Sequence, residues 1–304
     1  MTSNLNFLVA FDFRPEAEAA LDYALVVGRK IKTDIHILYV LEEESPMLKM
    51  VLTDAQRKML QRGAKDNLND IIKQKSANQD IKLYPVIKKG KVYNRIVETS
   101  TELGSSMIFM GRTDSMDMVK NFTGTNTMHI VRNSDIPAVT LKRMPENPSC
   151  DHILLPLDLT KQTKKQVCKA INVAKLLQSD ITLLSVLMED SVSLEIKFST
   201  RLREIKDIFE SFGISCDYKL ISSPDPVWSQ LLNKLSIEFH ADMVMIMTQQ
   251  ELDFTEYFIG SNAQEIINNS DLPVLSLTPE EEGPAILTDD MLKALVNPIK
   301  IFDH

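Results

Sequence analysis

Residues 124–141 read GTNTMHIVRNSDIPAVTL and residues 260–277 read GSNAQEIINNSDLPVLSL, with eight of eighteen positions identical. The fronts of the two halves repeat as well: FLVAFD (7–12) returns as ILLPLD (153–158), and DIHILYVLEE (34–43) returns as DITLLSVLME (180–189). The fronts are offset by 146 residues and the backs by 136, so the second copy lacks ten residues in its middle. Because solenoid repeats run only about 20–50 residues, a repeat of this length indicates a duplicated domain.

The bulk composition is that of a globular protein of two domains. The chain has 304 residues, of which 44% are hydrophobic and 25% charged. No apolar run approaches the roughly 18 residues that span a bilayer, so we expect no membrane association. The start, MTSNLNFLVAF, lacks the basic region of a signal peptide, and the three scattered cysteines form no disulfide or metal pattern. These features favour a reducing, cytoplasmic location.

Charge is distributed unevenly between the halves. The net charge is −8; residues 1–143 hold 21 Lys+Arg and 17 Asp+Glu (+4), whereas residues 144–304 hold 13 and 25 (−12). An acidic chain argues against nucleic acid as the main partner. The first half is electrostatically the better host for a phosphate. Alternatively, the two halves simply present different solvated faces.

Short apolar runs alternate with amphipathic stretches in both halves. In the first half we predict strands at 6–11, 35–41, 81–87, 106–110 and 137–141, and helices at 14–31, 53–76, 93–103 and 125–133. In the second half we predict strands near 153–157, 181–187, 214–221, 242–247 and 273–277. Alternating strands and helices of this kind form parallel sheets with right-handed crossovers.

The predicted fold class is therefore α/β, with two doubly wound, Rossmann-like domains of five parallel strands each. The predicted domains are residues 1–143 and 150–278, followed by a C-terminal tail at 279–304. We expect the domains to pack as an internal pseudo-dimer in which the last strands, PAVTL and PVLSL, pair at their edges.

A ligand of such a sheet binds beyond the carboxyl ends of the strands. In the first half, Asp12 follows the first strand, the segment 110–114 ends the fourth, and the segment 124–126 opens the last helix. Gly90 follows the third strand, and glycine is scarce, with nine in the whole chain. Glycine lets backbone N–H groups approach a ligand, and a helix N-terminus attracts an anion. Asp12 and the hydroxyl of Thr125 could instead cap their own helices.

These residues resemble the universal stress protein family, with a tandem pair of domains over about residues 5–143 and 151–278. Nucleotide-binding members carry an aspartate on strand one and a loop G-x-x-G-x9-G-[ST]. Here Asp12 matches the aspartate, Gly111 and Gly124 the first and third glycines, and Thr125 the hydroxyl residue. Val40 matches the position whose backbone contacts adenine in such members.

The resemblance implies a fold like that of adenine-nucleotide α-hydrolases, a regulatory role under stress, and ATP or a related adenine nucleotide as ligand, with Mg²⁺. The expected binding residues are Ala10, Phe11, Asp12, Val40, Gly90, Met110, Gly111, Arg112, Asp114, Gly124, Thr125 and Asn126. We expect no catalytic residue and no metal-ligand set supplied by the protein itself.

The first copy departs from the pattern at Asp114, which replaces the middle glycine. A carboxylate about 4 Å from a phosphate charge costs roughly 1 kcal/mol in water and about 4 kcal/mol at an effective dielectric of 20. Arg112, Lys120 or a divalent cation could offset this repulsion. In the second copy Met247 and Gln250 replace both loop glycines, so we expect no tight triphosphate site there.

Three functions follow from these features. The first is a nucleotide-binding regulatory module, and the second is a nucleotide-free scaffold for an unknown protein partner, with homodimers forming through domain edges. The third is a slow ATPase in which Asp114 holds Mg²⁺. Efficient catalysis is not expected, because the sequence has no G-x-x-x-x-G-K-[ST] loop, no G-x-S-x-G elbow and no H-E-x-x-H motif.

Overall fold

Apolar runs of the sequence become parallel strands in both halves of the chain. The structure, a computed structural model, describes residues 5–43, 53–76, 80–112, 125–159, 163–224, 226–248 and 261–278. The chain divides into two units, Met1–Met144 and Pro145–His304. Within these described ranges, each unit contains five strands and four helices.

The first unit follows the predicted alternation. Its elements are β1 (Asn6–Ala10), α1 (Pro15–Ile31), β2 (Asp34–Leu41), α2 (Asp54–Ser76), β3 (Leu83–Lys89), α3 (Val92–Glu102), β4 (Met107–Gly111), α4 (Thr125–Asn133) and β5 (Ala138–Leu141). The strand order is β3-β2-β1-β4-β5, and the ladders within it are parallel. The order reverses between β1 and β4, and sheets of this class form a ligand crevice at that point.

The second unit repeats this topology. Its elements are β6 (His152–Pro156), α5 (Thr163–Leu177), β7 (Asp180–Leu187), α6 (Val192–Ser211), β8 (Cys216–Ser222), α7 (Trp228–Phe239), β9 (Met243–Met247), α8 (Ser261–Asn269) and β10 (Val274–Leu277). The strand order is β10-β9-β6-β7-β8, again with parallel ladders. The α/β fold with parallel five-stranded sheets is confirmed, whereas the internal pseudo-dimer stays a prediction.

Local sequence explains how the elements begin and end. Helix α1 has Pro15 in its first turn and Arg29 and Lys30 in its last, which suits the helix dipole. The repeated NSD segments are turns in both units: the Ser134 hydroxyl accepts the N–H of Ile136, and the Ser270 hydroxyl accepts the N–H of Leu272. These segments therefore end the preceding helix and turn the chain into the last strand of each unit.

The third strand was predicted two residues too early. The prediction placed it at 81–87, but β3 spans Leu83–Lys89. The carboxylate of Asp34 accepts the N–H of Lys82 at 2.9 Å, and Ile81 is buried beside α1, where its Cδ1 lies 3.3 Å from the Cβ position of Gly28. Ile81 therefore belongs to the hydrophobic core before the ladder begins, a contact that strand periodicity does not reveal.

Gly111 permits a close approach between β4 and α1. A Cβ atom at Gly111 would lie 2.4 Å from the carbonyl carbon of Glu16 and 2.7 Å from the amide nitrogen of Ala17. These neighbours are backbone atoms, so a side chain would force the helix away from the strand. Position 111 therefore requires glycine for packing as well as for any ligand.

None of the described helices is long and apolar enough to cross a membrane. Among the described residues, no group of three or more His, Cys, Asp or Glu side chains is placed to hold a metal ion.

We expect Gly111→Ala to destabilise the first unit by about 1–3 kcal/mol, the usual cost of overpacking. Gly63→Ala is the matched control, because Gly63 lies in α2 with no atom within 4 Å of its Cβ position. Alanine there should raise stability by up to about 1 kcal/mol through helix propensity. Urea denaturation of both variants checks the difference; equal stability of Gly111→Ala and wild type would refute the packing argument.

His36 on β2 makes the stability of the first unit dependent on pH. Burial lowers its pKa below the ordinary value of 6.5, against an opposing effect of Asp34. The unfolded chain therefore takes up the proton first, and stability falls as pH drops below 6.5. In His36→Phe, which keeps the ring stacked on Tyr84, the denaturation midpoint should fall less between pH 7 and 5 than in wild type. His240→Asn, at an exposed position, should retain the wild-type slope.

Candidate functional site

A cleft of about 540 Å³ opens at the carboxyl edge of the sheet in the first unit. It lies where β1, β2 and β4 end, at the reversal of strand order. Seven of the predicted binding residues line it: Ala10, Phe11, Asp12, Val40, Met110, Gly111 and Asn126. The volume is within the range of about 300–1,000 Å³ that is usual for small-molecule sites.

The hydrogen-bond ladder between β1 and β2 ends inside this cleft. Its last registered pair is Ala10↔Leu38, and the N–H of Phe11 donates to the carbonyl of Leu38 at 2.9 Å. In a parallel strand, peptide groups that face the same neighbour recur every second residue. The next peptide groups of β2 on this side are those of Val40, where β1 has already ended. The N–H and C=O of Val40 therefore face the cleft as a donor and an acceptor.

A left-handed residue turns the chain away after β1. Phe13 has φ 64°, which is costly for a bulky residue. Its ring contacts Phe11 and Tyr39 with centroid distances of 5.2 and 5.0 Å, and these contacts offset the strain. Leu159 repeats the conformation in the second unit, with φ 58°. Both units therefore end their first strand by the same turn.

Asp12 is exposed at this turn and has a structural task. Its Oδ1 accepts the N–H of Arg14 at 3.1 Å, and its Oδ2 lies 3.5 Å from Nε of Arg14. Arg14 is the N-cap of α1, and no side chain caps the helix at that position. Asp12 therefore does not cap α1, which was one of its two expected roles; it closes the turn that precedes the helix. Its ligand role stays a prediction, and each carboxylate oxygen can accept more than one hydrogen bond.

Two other predicted residues lie at the same edge but outside the lining. Gly90 has φ 145° and donates its N–H to the carbonyl of Leu41 at 3.0 Å, so its conformation requires glycine. Arg112 is 2% exposed, and its backbone N–H donates to the carbonyl of Leu141 at 2.8 Å. Ligand contacts by these two residues stay predictions.

Helix α4 begins at Thr125, and Asn126 and Thr127 of its first turn line the cleft. The N-terminus of this helix would favour binding of an anion. Asp114 and Gly124 lie outside the described residues, so their predicted roles stay predictions.

Sequence reasoning missed other parts of the lining. Val92 and Ile96 of α3, together with Ile130 of α4, form an apolar wall. In the sequence these residues show only the spacing of apolar positions on a helix. That spacing is equally typical of residues in the hydrophobic core. Glu42, directly after β2, lines the cleft near Val40 and was treated only as part of the repeat.

The described lining is acidic. It contains the carboxylates of Asp12, Glu16 and Glu42 and a single cationic side chain, that of Arg14, which pairs with Asp12. A ligand of high negative charge would meet repulsion here unless a cation offset it.

Residues 4–142 match the model of the universal stress protein family. The match spans the β1–β5 unit and the cleft. Residues 4–142 form a universal stress protein domain. A search of curated proteins finds no match to the chain.

Solved structures extend the similarity of fold to both units. A universal stress protein from Archaeoglobus fulgidus DSM 4304 is 20% identical, covers 91% of this chain and 99% of its own, and has a TM-score of 0.70. A functionally unknown protein from Pseudomonas aeruginosa PAO1 is 16% identical, with 95% of each chain covered and a TM-score of 0.62. At these identities the likeness concerns the fold alone.

The second unit has side-chain hydrogen bonds to carbonyl groups at the corresponding edge of its sheet. The N–H of Leu157 donates to the carbonyl of Leu184 at 2.7 Å, as at Phe11 and Leu38. However, the Ser185 hydroxyl donates to the carbonyl of Leu157 at 2.8 Å. Ser185 takes the place of Tyr39, so a protein hydroxyl satisfies a carbonyl at the end of the ladder.

Polar side chains of α5 also donate hydrogen bonds to carbonyl groups at this edge. The Gln166 amide donates to the carbonyl of Pro156 at 2.8 Å, and the Lys169 ammonium donates to the carbonyl of Thr278. At the repeat offset of 146, the corresponding residues of the universal stress protein domain are Ala20 and Tyr23. Two carbonyl groups at this edge of the second unit therefore have side-chain partners from α5.

The helix pairs beside the edge differ as well. In the universal stress protein domain, Tyr93 of α3 stacks on His129 of α4 with ring centroids 4.6 Å apart. In the second unit the Glu265 carboxylate of α8 accepts the N–H of Ser229 at 3.1 Å and its hydroxyl at 2.5 Å. Glu265 therefore caps the first turn of α7, where the dipole favours an anion.

Proposed function

We propose that the first unit binds ATP or a related adenine nucleotide in its cleft and acts as a regulatory protein of the stress response. The observation that carries this proposal is the end of the β1–β2 ladder, which leaves the N–H and C=O of Val40 facing the cleft. This pair complements adenine, whose N1 accepts and whose exocyclic amine donates a hydrogen bond.

The other parts of the nucleotide would follow the cleft toward α4. The carboxylate of Asp12 suits the hydroxyls of a ribose, because it only accepts hydrogen bonds at neutral pH. The first turn of α4, at Thr125 and Asn126, suits a phosphate. A divalent cation such as Mg²⁺ would lower the repulsion between phosphates and the acidic lining. Val92, Ile96 and Ile130 supply apolar surface for the base or sugar.

A regulatory role fits the lining better than a catalytic one. The described lining has no Ser, Cys, Lys or His side chain that could serve as a nucleophile beside a base. The slow-ATPase alternative depends on Asp114, outside the described residues, and no described residue favours it.

The scaffold alternative has two observations in its favour. The acidic lining opposes a polyphosphate. In the second unit the apolar side chains of Met188, Val192 and Ile196 are 54%, 73% and 62% exposed, and large exposed apolar groups are typical of protein interfaces. The identity of a protein partner, homodimer formation through domain edges and a cytoplasmic location remain proposals.

Calorimetric titration with ATP, ADP and AMP, with and without Mg²⁺, tests the nucleotide proposal. We expect one site per chain. Asp12→Ala should weaken binding roughly tenfold or more, since a hydrogen bond to a charged group is worth about 1.5–3 kcal/mol. Asp158→Ala, at the corresponding exposed position of the second unit, should bind as wild type does.

Two results would count against the proposal. Two equivalent sites per chain would show that the second unit binds as well. No binding by wild type, together with no nucleotide released on denaturation of the purified protein, would favour the scaffold.

A further inference from the structure

We propose that Glu42 makes the cleft select a purine that carries an exocyclic amine at C6 over one that carries an oxygen there. This inference rests on the proposed function, because it concerns the base of the nucleotide in the same cleft. It adds a specificity-determining residue that the strand-end pattern did not indicate.

The position of Glu42 places its carboxylate beside the base-reading backbone. β2 ends at Leu41, and Glu42 is the next residue. Glu42 is two residues from Val40, and both residues line the cleft. The Glu42 side chain is exposed, and its carboxylate has no hydrogen bond or ion pair to any of the described residues.

The backbone of Val40 by itself discriminates weakly between the two kinds of purine. Adenine presents an acceptor at N1 and a donor at its amine, whereas hypoxanthine presents a donor at N1 and an acceptor at O6. One peptide N–H and one C=O can bind either base. With adenine the N–H donates to N1 and the C=O accepts from the amine; with hypoxanthine, after a small shift of the base, the N–H donates to O6 and the C=O accepts from N1. Selection requires a third group of fixed hydrogen-bonding character.

Glu42 has that character. A carboxylate only accepts at neutral pH, so it can take the second N–H of an adenine amine while the Val40 carbonyl takes the first. With hypoxanthine, O6 would face the carboxylate as acceptor against acceptor, and the charged group would lose water without gaining a donor. Asp12 is not the group that reads the amine, because the proposed function assigns its carboxylate to the hydroxyls of the ribose.

The second unit gives an internal contrast. The residue that corresponds to Glu42 at the offset of 146 is Met188, which offers no strong acceptor. The carboxylate is therefore present in the unit with the described cleft and missing in the unit where Ser185 and Gln166 donate to carbonyl groups at the corresponding edge.

The test compares AMP and IMP, which differ at C6 and in the N1 proton. For wild type we expect AMP to bind roughly tenfold or more tightly than IMP, as measured by calorimetry. In Glu42→Gln the amide can also donate, so the AMP/IMP affinity ratio should fall toward 1. Glu43→Gln removes the same charge from the neighbouring exposed residue and should keep the wild-type ratio.

The affinity ratio separates base selection from simple charge removal, since removing a carboxylate favours both monophosphates alike. Glu42→Met, which copies the second unit, should also lower the ratio. A wild type that binds AMP and IMP equally, or a Glu42→Gln variant that keeps the wild-type ratio, would overturn the role of Glu42 and leave nucleotide binding intact. Absence of binding by AMP, IMP and ATP alike would overturn the proposed function and this inference together.

Discussion

The turn from Asp12 to Arg14 is the constraint on which the rest of the first unit depends. The left-handed Phe13 ends the pairing of β1 with β2 at Phe11 and directs the chain into α1. If β1 continued in register, its backbone would cover Val40 and no cleft would separate β1 from the end of β2. The strain of Phe13 is offset by ring contacts with Phe11 and Tyr39, so the aromatic cluster and the open peptide groups arise from one local geometry.

The two units show how one backbone topology carries different side chains at the same edge of the sheet. In the first, Gly111 lets the backbone of α1 approach β4, and small residues such as Ala20 lie on the inner face of the helix. In the second, Met247 stands at the position of Gly111, and α5 turns Gln166 and Lys169 inward to the carbonyls of Pro156 and Thr278. Buried carbonyls need partners. In the second unit, Gln166 and Lys169 supply partners for two of them.

The charge of the open cleft sets a limit on its ligand. Helix α4 and the positive net charge of residues 1–143 favour an anion, whereas Asp12, Glu16 and Glu42 oppose one at the rim. In the proposed nucleotide complex, these opposing effects are reconciled if the phosphates lie toward α4 and the base and sugar lie toward the carboxylates. Base and sugar offer hydrogen-bond donors, so acidic side chains favour that end of a nucleotide while they disfavour extra phosphate charge.

The sequence by itself determined the duplication, the α/β class and most bounds of the helices and strands. These features depend on the spacing of apolar residues and on turn residues, which are patterns among residues close together in the chain. It also placed Asp12, Val40, Gly111 and Asn126 at one edge, since strand ends of a parallel sheet share that edge. Tertiary structure alone decided the early end of the β1–β2 ladder, the need for glycine at 111, and the hydrogen bond from Ser185 to the carbonyl of Leu157. These features depend on contacts between residues far apart in the chain, such as Ser185 with Leu157, 28 positions away. No local pattern of residues encodes such a distance.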